Sequence, residues 1–284
     1  MDFQYYQPEP KLTTLFPSWL APRQSVKVGH HDDEQGFFCS KKVALQGKPL
    51  TRIHLIDGER GGVGKSLVAR VMIHYFLTRG LPFRAVDTDK SNPDVAAIYS
   101  QDCDIANFSE NQNKEHESDL ILELALSTSV IVNLRSSMFE LVNDWIWRTD
   151  LIEFCKEYNV QLIKWFVCSG SYSSWQFFKK SLQYFEETEM IANAPHILVR
   201  NRGLCDDWSS LESRADYQDT ITKYNVLFVD FPLLSEGERE KIEASKLTFR
   251  EALEREIFTI IERQRIVTFL KEAMRAFEAT EMLP

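Results

Sequence analysis

Residues 57–66 read DGERGGVGKS, and Gly61, Gly62, Gly64, Lys65 and Ser66 within that string are the types from which an anion site is made. Glycines offer backbone N–H groups with no side chain in the way. A helix that begins directly after them adds the positive end of its dipole. A lysine there reaches the β- and γ-phosphates of a nucleotide, and a neighbouring serine hydroxyl ligates Mg2+. The ordinary pattern G-x-x-x-x-G-K-[ST] asks for glycine at position 59, where this chain has Glu59, followed by Arg60 ahead of the glycine pair. Further along, DTDKSNPD (87–94) supplies Asp87 and Asp89. Carboxylates at a strand end beside the phosphates would orient a water or a metal's hydration shell, although aspartate also favours strand-end turns for its own sake.

These residues act together only if the fold converges them. Six short apolar runs read as strands: IHLID (53–57), RAVDTD (84–89), VIVNL (130–134), VQLIKWFVC (160–168), HILVR (196–200) and VLFVD (226–230). Their near-continuous apolar character implies burial on both faces, as in a parallel sheet. Helical patterns run from Ser66 to about Thr78, near 138–157 and 173–189, and over most of 236–279. The alternation predicts an α/β P-loop fold with a mostly parallel, doubly wound sheet and the Gly-rich loop at the end of the first strand. Residues 1–50 carry Pro8, Pro10, Pro17 and Pro22 and no sustained periodicity. They are expected to form an N-terminal extension, partly docked through residues such as Phe16 and Trp19. Residues 51–284 are expected to form the P-loop NTPase-like domain with C-terminal helices.

The string RGGVGKS resembles KGGVGK[ST], the deviant Walker A loop of ParA/MinD-type ATPases, in which the first glycine is often absent. In that family a signature lysine ahead of the glycine pair crosses a nucleotide-sandwich homodimer to the partner's phosphates. Here Arg60 holds its place, and arginine can grip phosphate bidentately; the plain alternative is an exposed arginine at a loop edge. The resemblance implies ATP and Mg2+ as ligands, with Gly61, Gly62, Val63, Gly64, Lys65, Ser66 and Leu67 around the phosphates. Leu67 departs from the threonine common in the family. It implies Asp89 as the water-positioning residue, 24 positions after Lys65 as in the family, with Ser66 and Asp87 serving the metal. VIVNL falls where the family's Walker B strand ends in aspartate, yet residue 133 is Asn133. An amide brings no charge, so metal coupling and hydrolysis are expected to be weak. Asn201 and Pro232, after the last two strands, match positions that line the adenine in the family, and both are also ordinary turn formers. NRGLCD (201–206) is not the N-K-x-D pattern of GTPases, which favours ATP. The Gly-Lys-Ser-Leu ending and the DTD segment are similar to accessory ATPases of plasmid mobilisation and conjugation.

The resemblance implies an ATP-dependent dimerising switch, a slow ATPase that positions, partitions or mobilises a cargo through an unidentified protein partner. The alternatives are a nucleotide-gated binding module with little hydrolysis, or a biosynthetic ligase or synthetase on the same scaffold. A net charge of −9 gives no support to DNA binding. No apolar run is long enough for a membrane span. The odd count of 5 cysteines without a C-x-x-C pair, together with an N-terminus unlike a signal peptide, leads us to expect a cytoplasmic protein. HHDDE (30–34) has metal-ligand types but reads as a solvated polar stretch. Cys168 and its neighbours in WFVCSGSYSSW (165–175) lack a base that would make a nucleophile.

Overall fold

The apolar runs of the sequence lie side by side and point the same way. The computed structural model describes residues 48–109 and 116–284. Among them are seven strands: β1 (Thr51–Asp57), β2 (Phe83–Asp87), β3 (Cys103–Ile105), β4 (Ser129–Asn133), β5 (Val160–Cys168), β6 (His196–Asn201) and β7 (Leu227–Phe231). They form one sheet in the order β3-β2-β4-β1-β5-β6-β7, and every neighbouring pair is parallel. The expected doubly wound parallel sheet is thus borne out, with β1 at its centre. The short strand β3 is an addition at the edge; with three residues, one of them polar, it carries little apolar signal.

The helices are α1 (Lys65–Arg79), α2 (Leu120–Ala125), α3 (Phe139–Arg148), α4 (Leu151–Tyr158), α5 (Tyr172–Glu187), α6 (Ser209–Glu212), α7 (Ala215–Tyr224), α8 (Glu236–Ala244), α9 (Phe249–Glu254) and α10 (Ile260–Glu278). Alternate residues of the strands enter opposite cores. Ile56, Ile131, Ile163 and Val199 pack under α1 and the C-terminal helices. Ile53, Leu55, Val130, Val132 and Leu162 pack under α2 to α4, and Phe166 and Leu198 under α5 to α7. The predicted helix over 138–157 is two helices, broken where Asp150 takes a left-handed φ of 46°. The helical tail comprises three helices, α8 to α10. Thr248 and Thr259 each cap a new helix, with Glu251 and Glu262 closing the capping box. The HHDDE stretch and the expected docking of the N-terminal extension lie outside the described residues.

Because all strands are parallel, their C-terminal ends share one edge of the sheet, where ligands of such folds lie. Register places Asn133 beside both Ile56 and Asp87 on that edge.

Three histidines, His54, His74 and His196, sit inside the fold, and hydrogen bonds fix the tautomers of the first and the last. Trp165 Nε1 donates to His54 Nδ1 at 3.2 Å, and His196 Nδ1 lies 2.8 Å from the Ala194 carbonyl, so that nitrogen must carry the proton. Burial pushes His54 and His196 down to about 3 and His74 to about 4. Unfolding lets each bind a proton near 6.5, so the folded state holds fewer protons between that value and about 4. Stability is therefore full above that window and declines as pH falls through it, by up to about 1.4 kcal/mol per pH unit per histidine. Urea-unfolding midpoints taken from pH 7.5 to 5 should be level at the top and fall steadily below pH ~6.5; a midpoint unchanged down to pH 5 would contradict this.

Candidate functional site

β1 delivers the chain into the Gly-rich turn. At its end, Asp57 Oδ1 accepts from the Gly58 N–H at 2.7 Å, while Oδ2 stands 3.0 Å from Lys164 Nζ in a pair almost wholly buried. The turn needs left-handed backbone at Gly62 (φ 81°) and Gly64 (φ 101°), which glycine adopts without strain. Val63 between them is buried and anchors the loop to the core. Its carbonyl accepts from Asn201 Nδ2 at 2.8 Å. That amide lies so close that a Cβ on Gly64 would meet it at 2.5 Å.

α1 then begins at Lys65, whose side chain folds back over the loop. Its Nζ donates to the Arg60 carbonyl at 2.9 Å and to Ser136 Oγ at 3.0 Å. Burial lowers the lysine's proton affinity, opposed by the carboxylates of Asp57, Asp89 and Glu59. A partly desolvated ammonium of this kind gains by meeting an anion.

The two aspartates of the DTD segment take different places. Asp87 is fully buried. Its Oδ2 accepts from the Val95 and Ala96 N–H groups at 2.9 and 3.2 Å, and its Oδ1 from the Asp89 N–H at 3.3 Å and Asn133 Nδ2 at 3.2 Å. Burial raises its proton affinity, and those donors pull it back. Asp87 was expected in the Mg2+ shell, but it stands one layer behind the cleft, with Asn133 between it and Ser66. The reason is geometric: four donors already claim its oxygens. Asn133 Nδ2 lies 3.5 Å from Ser66 Oγ. With that nitrogen drawn to the carboxylate, the Asn133 carbonyl oxygen is left buried and without a partner. Asp89 is half-exposed, and its Oδ1 accepts from the Ser91 and Asn92 N–H groups, both at 3.1 Å. Burial would raise its proton affinity, but Ser91, Asn92 and the charge of Arg135 lower it, so it stays ionised.

A cleft of about 380 Å³ joins these parts. Gly61, Gly62, Gly64, Lys65, Ser66, Leu67 and Asp89 line one end, and Asn201 and Pro232 reach the same space. Val63 and Asp87 lie beneath it. Arg60 is outside it: its side chain is 67% exposed, with Nε 3.1 Å from the nearly buried Glu59 carboxylate. Asn201 was expected to read adenine, yet it braces the loop, its Oδ1 also accepting from the Gly203 N–H at 2.9 Å. One N–H and one lone pair of its Oδ1 are left for a base. Among the described residues no cluster of three His, Cys, Asp or Glu could hold a metal. The Ser66 hydroxyl does suit a hard cation shared with phosphate, whereas Asn133 turns its nitrogen toward that hydroxyl.

The sequence reading missed Arg135, Ser136, Asp94, Arg239 and Glu243, which also line the cleft. Ser136 follows the β4 run within VIVNLRSS and was within reach of a closer reading; the others depend on side-chain direction. Cys168 is buried and its thiol is pushed up to about 12, so it stays protonated and unreactive. No helix among the described residues is long and apolar enough to cross a membrane.

No family model matches the chain. Over 49 residues it is 45% identical to protein MobD of Acidithiobacillus ferrooxidans, a stretch covering 17% of this chain and only 22% of that protein. Among solved structures, a Borrelia burgdorferi B31 plasmid partition protein bound to AMPPNP superposes with a TM-score of 0.52 at 12% identity, covering 82% of this chain and 100% of that one. The MinC:MinD cell division complex of Aquifex aeolicus gives 0.48 at 10% identity over 82% and 97% of the two chains. The likeness to the plasmid partition protein is one of fold: the chain shares its α/β architecture.

The brace assigned to Asn201 has a measurable consequence. Asn201→Ala leaves the buried Val63 carbonyl unpaired and should destabilise the nucleotide-free protein by about 1–3 kcal/mol. Urea unfolding without ligand checks this. Unchanged stability with a weakened preference for adenine over guanine nucleotides would instead return Asn201 to the base.

Proposed function

We propose that this protein is an ATP-dependent dimerising switch with slow hydrolysis, acting in the partition, positioning or mobilisation of a cargo. The observation that carries the reading is the desolvated Lys65 ammonium folded over a left-handed glycine turn, in one cleft with Asn201 and Pro232. The shared fold with a plasmid partition protein bound to AMPPNP supports it. So does the short MobD match.

In this reading the backbone N–H groups of Gly61, Gly62 and Gly64 cradle the phosphates, and Lys65 moves from the Arg60 carbonyl and Ser136 to the β- and γ-phosphates. Ser66 Oγ would hold Mg2+ together with the phosphates, and the ion when bound would neutralise phosphate charge. Asp89 orients a water toward the γ-phosphorus through the oxygen its turn leaves free. Water attack breaks the bond to the β–γ bridging oxygen and yields ADP and phosphate. Arg60, on the exposed face of the loop, completes the site of a second copy, so turnover is tied to dimerisation and hydrolysis releases the pair.

A second reading, a nucleotide-held switch that scarcely hydrolyses, is favoured by one observation: β4 ends in the neutral amide of Asn133. A ligase would need a carboxylate substrate pocket; turnover that needs no added metabolite would count against it.

Phosphate release from Mg2+-ATP separates the first two. The dimerising ATPase predicts slow turnover whose specific rate rises with protein concentration. Lys65→Ala should abolish it, and Arg60→Ala should lower it by about 100-fold or more if Arg60 is a finger in trans. If wild type releases no phosphate and Asn133→Asp creates activity, the hydrolytic reading and the role given to Asp89 are wrong.

A further inference from the structure

Arg135 and Arg239 are the cations of the cleft that the roles above leave unused, and Arg135 is the one whose neighbour in sequence, Ser136, meets Lys65. Its backbone is fixed between two strand ends. The Arg135 N–H donates to Thr88 Oγ1 at 2.8 Å, and Thr88 donates through both its N–H and its hydroxyl to the Asn133 carbonyl, each at 3.1 Å. The next residue, Ser136, receives Lys65 Nζ at 3.0 Å, and its Oγ is 3.6 Å from where a Cβ on Gly61 would lie. The segment after β4 therefore faces the phosphate cradle directly. Arg135 lines the cleft together with Lys65 and Asp89. Its guanidinium makes no ion pair with any described residue, and the nearest charge it influences is the Asp89 carboxylate.

Compared with a strand ending in aspartate, this one is more positive by one unit charge at Asn133, and Arg135, two residues on, adds a cation beside it. That change disfavours a metal cation and favours an anion at the same place. We infer that Arg135 is a specificity-determining ligand of the terminal phosphate of a bound nucleoside triphosphate, by which the cleft tells triphosphate from diphosphate with little help from a divalent metal. The proposal rests on the nucleotide reading and deepens it. The terminal phosphate carries the charge and oxygens that a planar guanidinium grips through paired N–H groups. A diphosphate stops short of them and is held by the glycine turn and Lys65 alone.

The test is isothermal titration calorimetry of the full chain with ATP and with ADP, each in Mg2+ and in EDTA, for wild type, Arg135→Ala and Arg135→Lys. Wild type should prefer ATP in both conditions. Arg135→Ala should weaken ATP by about 10-fold or more and ADP by less than about threefold, and Arg135→Lys should fall between, keeping charge without the paired geometry. The side chain is exposed, so the variants should melt as wild type does, and the ATP-to-ADP ratio within each variant is unaffected by any small loss of folded protein. An ATP-to-ADP ratio in Arg135→Ala equal to wild type overturns the proposal while leaving the nucleotide reading intact. A wild-type preference that vanishes in EDTA overturns it equally, because the metal then makes the distinction. Wild type that binds neither nucleotide overturns the nucleotide reading itself, and this inference with it.

Discussion

The hydrogen bond from Asn201 Nδ2 to the Val63 carbonyl fixes the geometry on which the rest of the site depends. A loop that turns its N–H groups toward a ligand turns carbonyls elsewhere, and a buried carbonyl must be paired. Here the partner comes from the end of β6, two strands away from β1 in the sheet. The amide then fills the space beside residue 64, which is why only glycine fits there. Close by, the Asp57–Lys164 pair holds the loop's entrance. Breaking that pair would leave a charge in the core, a heavier penalty than the intact pair's net contribution. The cradle is therefore rigid before any ligand arrives, and its rigidity is supplied by β5 and β6, not by the loop.

Charge at the strand ends follows a different logic. The carboxylate that the resemblance leads one to expect at the tip of β4 is found on β2, as Asp87, where four donors satisfy it. Asn133 lies between that carboxylate and Ser66, presenting its nitrogen to the first and leaving its carbonyl oxygen unpaired. A metal would feel a dipole there, with the negative charge behind it. With Lys65 desolvated and Arg135 without an ion pair among the described residues, the charge at this end of the cleft favours an anion.

Much of this was legible in the sequence, for reasons that are local. Strands buried on both faces must be apolar throughout, so β1, β4, β5 and β6 announce themselves. The turn is marked because its dihedrals demand glycine at 62 and 64. Thr248 and Thr259 with their partner glutamates carried capping signals that a closer reading would have used to divide the tail. What was not legible depends on side-chain direction across distant segments. Asp87 and Asp89 differ by two positions, yet one points into the fold and the other along its edge. Nothing in Asn201 or its neighbours tells whether its amide faces a ligand or the back of a loop 138 residues away.

The glycine missing at position 59 acquires a physical reading. Glu59 is a nearly buried carboxylate paired with Arg60 at 3.1 Å, its charge also felt by Lys65, and among the described residues neither of its oxygens has a hydrogen-bond donor. Arg60 is thereby held on the loop's outer face, while Lys65 bonds the carbonyl of that same residue from within. The two cations of the loop are spaced by one peptide unit, one aimed into the cleft and one out of it. Swinging Arg60 away toward a second molecule would strip Glu59 of its counter-ion, which is unfavourable unless the arginine gains a stronger anion in exchange. A phosphate of a second copy's nucleotide is such an anion, and bulk water is not. In the dimerising reading, glutamate at this position would make the outward reach of Arg60 conditional on what awaits it, a condition that glycine could not impose.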